Sequence, residues 1–402
     1  MSSRFIESLL RRGRQFPDLV ETQPELVAHH YTEAGLIEQA LPYWQQAGRR
    51  AAQRSANVEA VSYLRRGLAL IELLPKTPER DQHELALQAT LGPVLMAAKG
   101  YAAPETGAAY TRAAALCQQL GETAQHFPVL SGVWGFQFTR ADYQIARTLG
   151  EELLHLAEQA HDPALLVVAH FTLGETLFYL GEVMAARRHC EQSVAHYDAR
   201  QHRALAIEYG NDPAMSALCY EAQVLWLLGS PEQALRQNQA SVTLARGLAH
   251  PFSLTVALSF AAWVHLQRRE WDQALEQAEA AIALATEHGF PHWVAMSTIF
   301  RGRAVVEHGR ATDGIDQMRW GIAAMRDIGS GIYQSYFPAL LAEAYLHDGQ
   351  IEEGLATVAE ALAFVERAEE RFYEAEVWRI KGELTLAQSK VQSLKSTVEE
   401  AE

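Results

Sequence analysis

Sixteen histidines and three cysteines are the side chains of this 402-residue chain best suited to hold a metal or to attack a substrate. A zinc site needs three or four such ligands at fixed spacings, and no His-Glu-x-x-His occurs. His155, Glu158 and His161 recur at three-residue steps, which places them on one helix face. His161, however, falls at a predicted helix end beside Asp162, and that face reads as solvated. His189 and Cys190 are sequence neighbours and point to different helix faces. His29 and His30 read as packing and capping groups. Cys117, Cys190 and Cys219 form no C-x-x-C pair, and they read as buried small hydrophobes in a reducing compartment. No G-x-S-x-G elbow offers a nucleophile, and no G-x-x-x-x-G-K-[ST] loop offers a phosphate cradle. The acidic pairs Glu151-Glu152 and Glu352-Glu353 look like exposed helix positions. The expectation is a chain with no catalytic residue, no metal and no cofactor.

The elements behind these residues are helical. Ala222, Ala262, Gly302, Ala342 and Gly382 fall at steps of 40 residues. Ala234, Ala274, Gly314 and Gly354 follow the first four at a constant offset of twelve. Gly309 with Gly349, Gly289 with Gly329, and Pro251 with Pro291 keep the same step. Several columns in one register mark an internal repeat. Asp212-Pro213 predicts a helix start and Gly229 its stop. Ser230-Pro231-Glu232-Gln233 reads as a capping box opening the next helix, which Gly247 would end. Apolar residues recur at three and four positions, and no period-two alternation predicts a strand.

Glycine inside a helix is unfavourable by about 1 kcal/mol against alanine, so Gly302, Gly314 and Gly382 need a close helix approach to offset it. Small residues at the eighth and twentieth positions of a hairpin match tetratricopeptide packing. A HEAT or armadillo array is the rival with a period near 40. Gly174, Gly181 and Ala186 extend the pattern backwards, with an insertion at Asp198 to Asp212, and Ala146 keeps the step to Ala186. Hairpins are expected over 24–53, 57–98 and 105–138, with breaks at Gly35, Pro75, Pro78 and Gly100. The predicted fold is all-α: a right-handed superhelical solenoid of tetratricopeptide-like hairpins, about 18 helices in all. Its parts are an N-terminal remnant or linker helix (1–22), irregular hairpins (23–160), regular repeats (161–388) with the inserted loop 198–212, and a polar tail (389–402).

Composition narrows the function. Hydrophobic residues are 49% and charged residues 21%, ordinary for a folded protein. A net charge of -15 argues against nucleic acid or an anionic membrane as partner. The one basic cluster, Arg4, Arg11, Arg12 and Arg14, reads as a solvated helix face. Neither a signal peptide after Met1 nor a run of about 18 apolar residues is present, and a cytoplasmic location is expected.

Several phrases carry a resemblance: His29-His30-Tyr31-Thr32-Glu33-Ala34-Gly35, Tyr43-Trp44-Gln45-Gln46-Ala47-Gly48, and Gly100-Tyr101-Ala102-Ala103-Pro104-Glu105. Tyr209-Gly210-Asn211-Asp212-Pro213 and Glu370-Arg371-Phe372-Tyr373-Glu374-Ala375-Glu376 belong with them, the latter continuing to Lys381-Gly382-Glu383-Leu384. Together they resemble the C-terminal tetratricopeptide region of large bacterial signalling ATPases, often fused behind a class III adenylate cyclase domain. The resemblance covers 20–388. It implies a sensor or scaffold arm whose cyclase and ATP-binding modules would lie upstream of Gln23-Pro24-Glu25. None of the family's enzymatic residues has a counterpart, and both an excised fragment and a separate reading frame stay open.

The first helix of each hairpin lines the groove of a tetratricopeptide array. In this register the groove positions hold Phe171, Glu175 and Phe178, then Gln223 and Trp226, then Trp263. Arg303, Tyr336, Glu343 and Arg379 follow. Flat rings with a few charges suit recognition, and the same rings equally suit packing between helices. The inserted loop is a second candidate, through His202, Arg203, Tyr209, Asn211 and Asp212, with a structural plug as its alternative. The function expected is a non-catalytic arm that binds a protein partner or an upstream ATPase or cyclase module. The alternative is a sensor that binds a small-molecule ligand in the same groove.

Overall fold

The computed structural model describes residues 22–100, 102–121 and 126–399. The segment 1–21, with its four arginines, lies outside the described residues, as do Tyr101 and 400–402. Among the described residues every regular element is a helix. The first six are α1 (Pro24–Glu33), α2 (Ile37–Gln53), α3 (Asn57–Ile71), α4 (Pro78–Lys99), α5 (Pro104–Leu120) and α6 (His126–Thr139). Then come α7 (Tyr143–Ala160), α8 (Pro163–Tyr179), α9 (Val183–His196) and the single turn α10 (Leu205–Glu208). The regular array continues with α11 (Pro213–Leu227), α12 (Pro231–Leu248), α13 (Pro251–Gln267), α14 (Trp271–His288) and α15 (Pro291–Glu307). It ends with α16 (Ala311–Asp327), α17 (Tyr336–His347), α18 (Ile351–Ala368) and α19 (Glu374–Glu399).

The chain divides into two compact units, Met1–Phe136 with Ala204–Asn211, and Gln137–Arg203 with Asp212–Glu402. In the first, α2 packs on α3 and α4 on α5, and the inserted turn α10 touches α4. Leu41, Leu64, Leu87 and Leu91 form part of its core.

The second unit is built on the small-residue register. A Cβ added at Gly302 would lie 2.6 Å from the Gly314 carbonyl oxygen, and one at Gly314 only 2.5 Å from that of Gly302. Glycine lets α15 and α16 touch backbone to backbone, the reason for two helix-weakening residues there. At Gly174 and Gly354 the room is taken by side chains, the Cys190 sulfur 2.8 Å and the Leu384 Cδ2 2.6 Å from where a Cβ would sit. Gly382 departs from the expectation, since a Cβ there meets nothing within 4 Å.

The first helices of the hairpins, α8, α11, α13, α15, α17 and α19, form an inner row in which each touches the next. Inner helices such as α13 are buried on nearly every side. Outer ones bury one stripe: in α14 it is Ala274, Ala278, Ala281 and Ala285, at helical spacing. A helix apolar all round must be covered all round.

Local signals held in part. The Asp212 carboxylate accepts from the Met215 N–H at 2.8 Å, the cap expected. The capping box at Ser230 does not form: its side chain makes no cap bond. The stop expected at Gly247 falls at Ala249, which takes the left-handed conformation. From 389 the expected polar tail is helix as far as Glu399.

Candidate functional site

One cleft of about 920 Å³ opens in the second unit, between the ends of α11, α13, α15, α17 and α19. Its apolar wall is Trp226, Leu227, Leu266, Trp271, Leu340, Phe372 and Tyr373. Its charges are Arg268, Arg269, Arg303 and Arg379 against Glu343 and Glu376. The helix periodicity that turns Arg303 and Glu343 inward sets them on neighbouring helices, where they approach to 3.6 Å. Arg303 also bonds Glu307 at 2.6 Å and lies 5.3 Å from the centre of the Trp271 ring. Arg379 donates to Glu343 at 2.7 Å and to Glu376 at 2.6 Å. Arg268 is held by Glu232 and Glu270. Aromatic faces beside fixed, hydrogen-bonded charges can seat an apolar side chain and read polar groups around it.

The cleft thus gathers Trp226, Arg303, Glu343 and Arg379 from the expected groove set. It does not gather the rest. Phe178, Gln223, Trp263 and Tyr336 are buried to within 1% of complete, a correction to their expected place on an open wall. Glu175 is buried too, Phe171 is half-buried, and neither lines the cleft. The cause is two loops that fold back over the inner row. The Gly331 N–H donates to the Thr139 carbonyl at 2.6 Å, and the Arg371 N–H to the Tyr179 carbonyl at 2.7 Å. They bring Tyr333 and Phe372 onto Tyr179, with ring centres 5.1 and 5.5 Å away. Tyr336 stands just behind the wall, accepting from Gln267 at 2.8 Å.

Two buried acids hold these loops in place, Glu175 beneath them and Glu370 within the second. Tyr220 donates to Glu175, whose carboxyl burial pushes up to about 8 against the pull of that bond. Glu370 accepts from the Tyr143 hydroxyl at 2.7 Å and from the Ser335 N–H at 2.9 Å, and burial pushes it up to about 7. Tyr333 donates to Gln223 at 2.9 Å. This interior holds the loops down and presents nothing to solvent.

The inserted loop serves the scaffold. Arg203 donates to the Leu248 carbonyl at 2.9 Å, closing the end of α12. His202 accepts from the Asp198 N–H at 3.1 Å. Asp212 caps α11 and accepts from Tyr197 at 2.8 Å. Tyr209 packs edge-on against Phe127 inside the first unit. None of these residues, nor Asn211, lines the cleft.

His155 turns to Gln159 and His161 occupies the left-handed position that ends α7. His189 contacts His170 at 3.0 Å, while Cys190 is buried against Gly174. Among the described residues no group of three or more His, Cys, Asp or Glu is placed to hold a metal ion. Nor is any described helix long and apolar enough to cross a membrane.

Trp271, Arg269, Phe372 and Tyr373 escaped the sequence reading. Trp271 opens an outer helix and so has no place in an inner-helix register. Phe372 and Tyr373 stood in a family-like phrase without a positional meaning.

No family model matches the chain. An uncharacterized protein of Rhizobium meliloti (strain 1021) is 23% identical over 362 residues, covering 88% of this chain and 34% of its own length. The chain therefore spans about a third of the curated relative it matches. Among solved structures it is similar to a Rap protein complexed with competence and sporulation factor, with a TM-score of 0.55 and 11% identity over 86% of this chain and 99% of that one. The apo form of RapI gives a TM-score of 0.51 at 14% identity, over 72% and 98%. The Cut9–Hcn1 hetero-tetramer of APC/C gives 0.52 at 13%, over 92% and 70%. At such identities the likeness is one of fold: an all-α solenoid of tetratricopeptide-like hairpins.

Proposed function

We propose that this chain is a non-catalytic regulatory arm whose cleft takes up a segment of a protein partner. The observation that carries the reading is the cleft itself, the place where a row of otherwise covered inner helices shows tryptophan faces beside fixed charges. Trp226 and Trp271 are the anchors, giving area at low entropy cost. Arg303, Glu343 and Arg379 form the polar rim that orients the segment. Proteins of this fold are seen with partners, a Rap protein with competence and sporulation factor and Cut9 with Hcn1. The resemblance to signalling ATPases, and a relative about three times as long as the matched region, support an upstream ATPase or cyclase module as one source of that segment. A cleft of 920 Å³ also falls in the range of small-molecule sites, which keeps a metabolite sensor as the second reading.

The test uses fluorescein-labelled random heptapeptides and polarisation. Replacing both anchors, Trp226→Ala with Trp271→Ala, should weaken capture by about ten-fold or more, with little change in melting temperature. Capture unchanged by both replacements contradicts the reading. A thermal-shift screen of sugars, nucleotides and amino acids serves the second one, because a ligand that prefers the folded state raises the melting temperature.

A further inference from the structure

Five hairpin turns follow the inner helices α8, α11, α13, α15 and α17. At four of them glycine adopts a left-handed backbone: Gly181 at φ 78°, Gly229 at 75°, Gly309 at 77° and Gly349 at 78°. At the turn after α13 the same conformation is held by Arg269, at φ 59°. An L residue is disfavoured there and glycine is not, so the arginine weakens the turn it occupies. The turn closes as the glycine turns do, the Arg269 N–H donating to the Leu266 carbonyl at 3.0 Å and the Glu270 N–H to that of His265 at 2.9 Å, and Ser55 and Ala141 hold the same conformation elsewhere, so what sets Arg269 apart is its side chain. Arg269 is exposed and makes no ion pair among the described residues.

Its position gives the reason. Arg269 lines the cleft. The other three arginines there are already matched: Arg268 to Glu232 and Glu270, Arg303 to Glu307 and Glu343, Arg379 to Glu343, Glu376 and Glu383. Both carboxylates on the wall, Glu343 and Glu376, are held by Arg303 and Arg379. The nearby Glu270 is held by His265 and Arg268. One unmatched cation therefore shares the cleft lining with Trp226 and Trp271, on a chain whose net charge is -15. A charge without a partner on the wall of a cleft whose other charges are matched points to a group supplied from outside.

We infer that Arg269 receives a side-chain carboxylate of the bound segment, and that the cleft selects an acidic peptide stretch with an apolar residue next to the acid. This rests on the reading of the cleft as a segment-binding site. The guanidinium fork pairs with a carboxylate through two parallel N–H donors, and the adjacent tryptophans seat the apolar neighbour.

Two pools of C-terminally amidated, labelled heptapeptides test it on the full chain. Both carry a fixed Leu-Glu or Leu-Gln at the centre, with the other positions random. The native chain should bind the Glu pool about ten-fold more tightly than the Gln pool. Arg269→Gly should erase that preference while its melting temperature stays or rises, since glycine relaxes the turn. Loss of binding from mere damage would instead lower it. Equal binding of both pools by the native chain, still lost with Trp226→Ala and Trp271→Ala, overturns the carboxylate assignment and leaves the cleft reading intact. A preference that survives Arg269→Gly also overturns it. Free glutamate that displaces the Glu pool as well as unlabelled peptide does would overturn the peptide source. Failure of both pools to bind overturns both readings.

Discussion

At Phe178 and Gln223 the inner row of the second unit is sealed, whereas at Trp226, Arg303 and Glu343 the same row stands open. Phe178, Gln223 and Trp226 share one feature in the sequence, a groove-facing position on an inner helix. They part because 328–335 and 369–373 fold back over α8 and reach α11 at Gln223, pinned by Gly331 to Thr139 and by Arg371 to Tyr179. Repeat register decides which way a side chain faces. Whether that face meets solvent is decided by the loops that follow α16 and α18 and by their anchors far back along the chain. The sealed half spends its aromatics on cohesion and holds two protonatable acids dry. The open half pairs its charges at the rim and leaves its rings accessible.

The largest expected effect strikes both halves at once. Gly302→Leu must push a side chain into the Gly314 backbone, 2.6 Å from where its Cβ would sit. Chemical denaturation should show a loss of roughly 3 kcal/mol or more, with peptide capture lost together with the fold. A cost under about 0.5 kcal/mol would mean that α15 and α16 do not pack at this contact.

A smaller effect separates the halves. Glu175 has an ordinary value of 4.5 when unfolded and about 8 in the fold. Its contribution to stability is full below 4.5 and is lost as pH rises through 8, because the unfolded chain gives up the proton first. Melting temperature should therefore fall between pH 5 and pH 8. Glu175→Gln should flatten that fall, making the variant more stable than the native chain at pH 8 by on the order of 2 kcal/mol. Peptide capture should not change. A variant with the native pH profile would show that Glu175 is ionised in the fold.

The smallest effect is a control on the packing argument. Nothing lies within 4 Å of an added Cβ at Gly382, so Gly382→Ala should stabilise α19 by about 0.5–1 kcal/mol. A loss of stability would mean that a neighbour touches this position after all.

Much of the fold was legible because close helix contacts demand small residues at fixed intervals. Ala222 and Ala342, both fully buried, show it, and Gly314 answers Gly302 across the hairpin. The site was legible in part. Arg303, Glu343 and Arg379 are charged, which favours an exposed wall over a dry core. Phe178, Trp263 and Tyr336 carried no such distinction, since a ring suits a groove and a core equally. The loops that cover the row stand one 40-residue step apart, Gly331 with Arg371 and Tyr333 with Tyr373, but their partners Thr139 and Tyr179 lie far back along the chain, where the period alone does not point. The capping box at Ser230 does not form, since the Ser230 side chain makes no cap bond. Arg269 was readable in principle, as the arginine in a column of glycines.

Placing a photoreactive phenylalanine analogue at Trp226, and separately at Trp320, tests the central claim most directly. Trp320 is 53% exposed on the outer helix α16, so it reports contact with any apolar surface. With the labelled heptapeptides, the analogue at 226 should crosslink and the one at 320 should not. Equal labelling at both positions, or labelling at 320 alone, would contradict a cleft that receives a partner's segment.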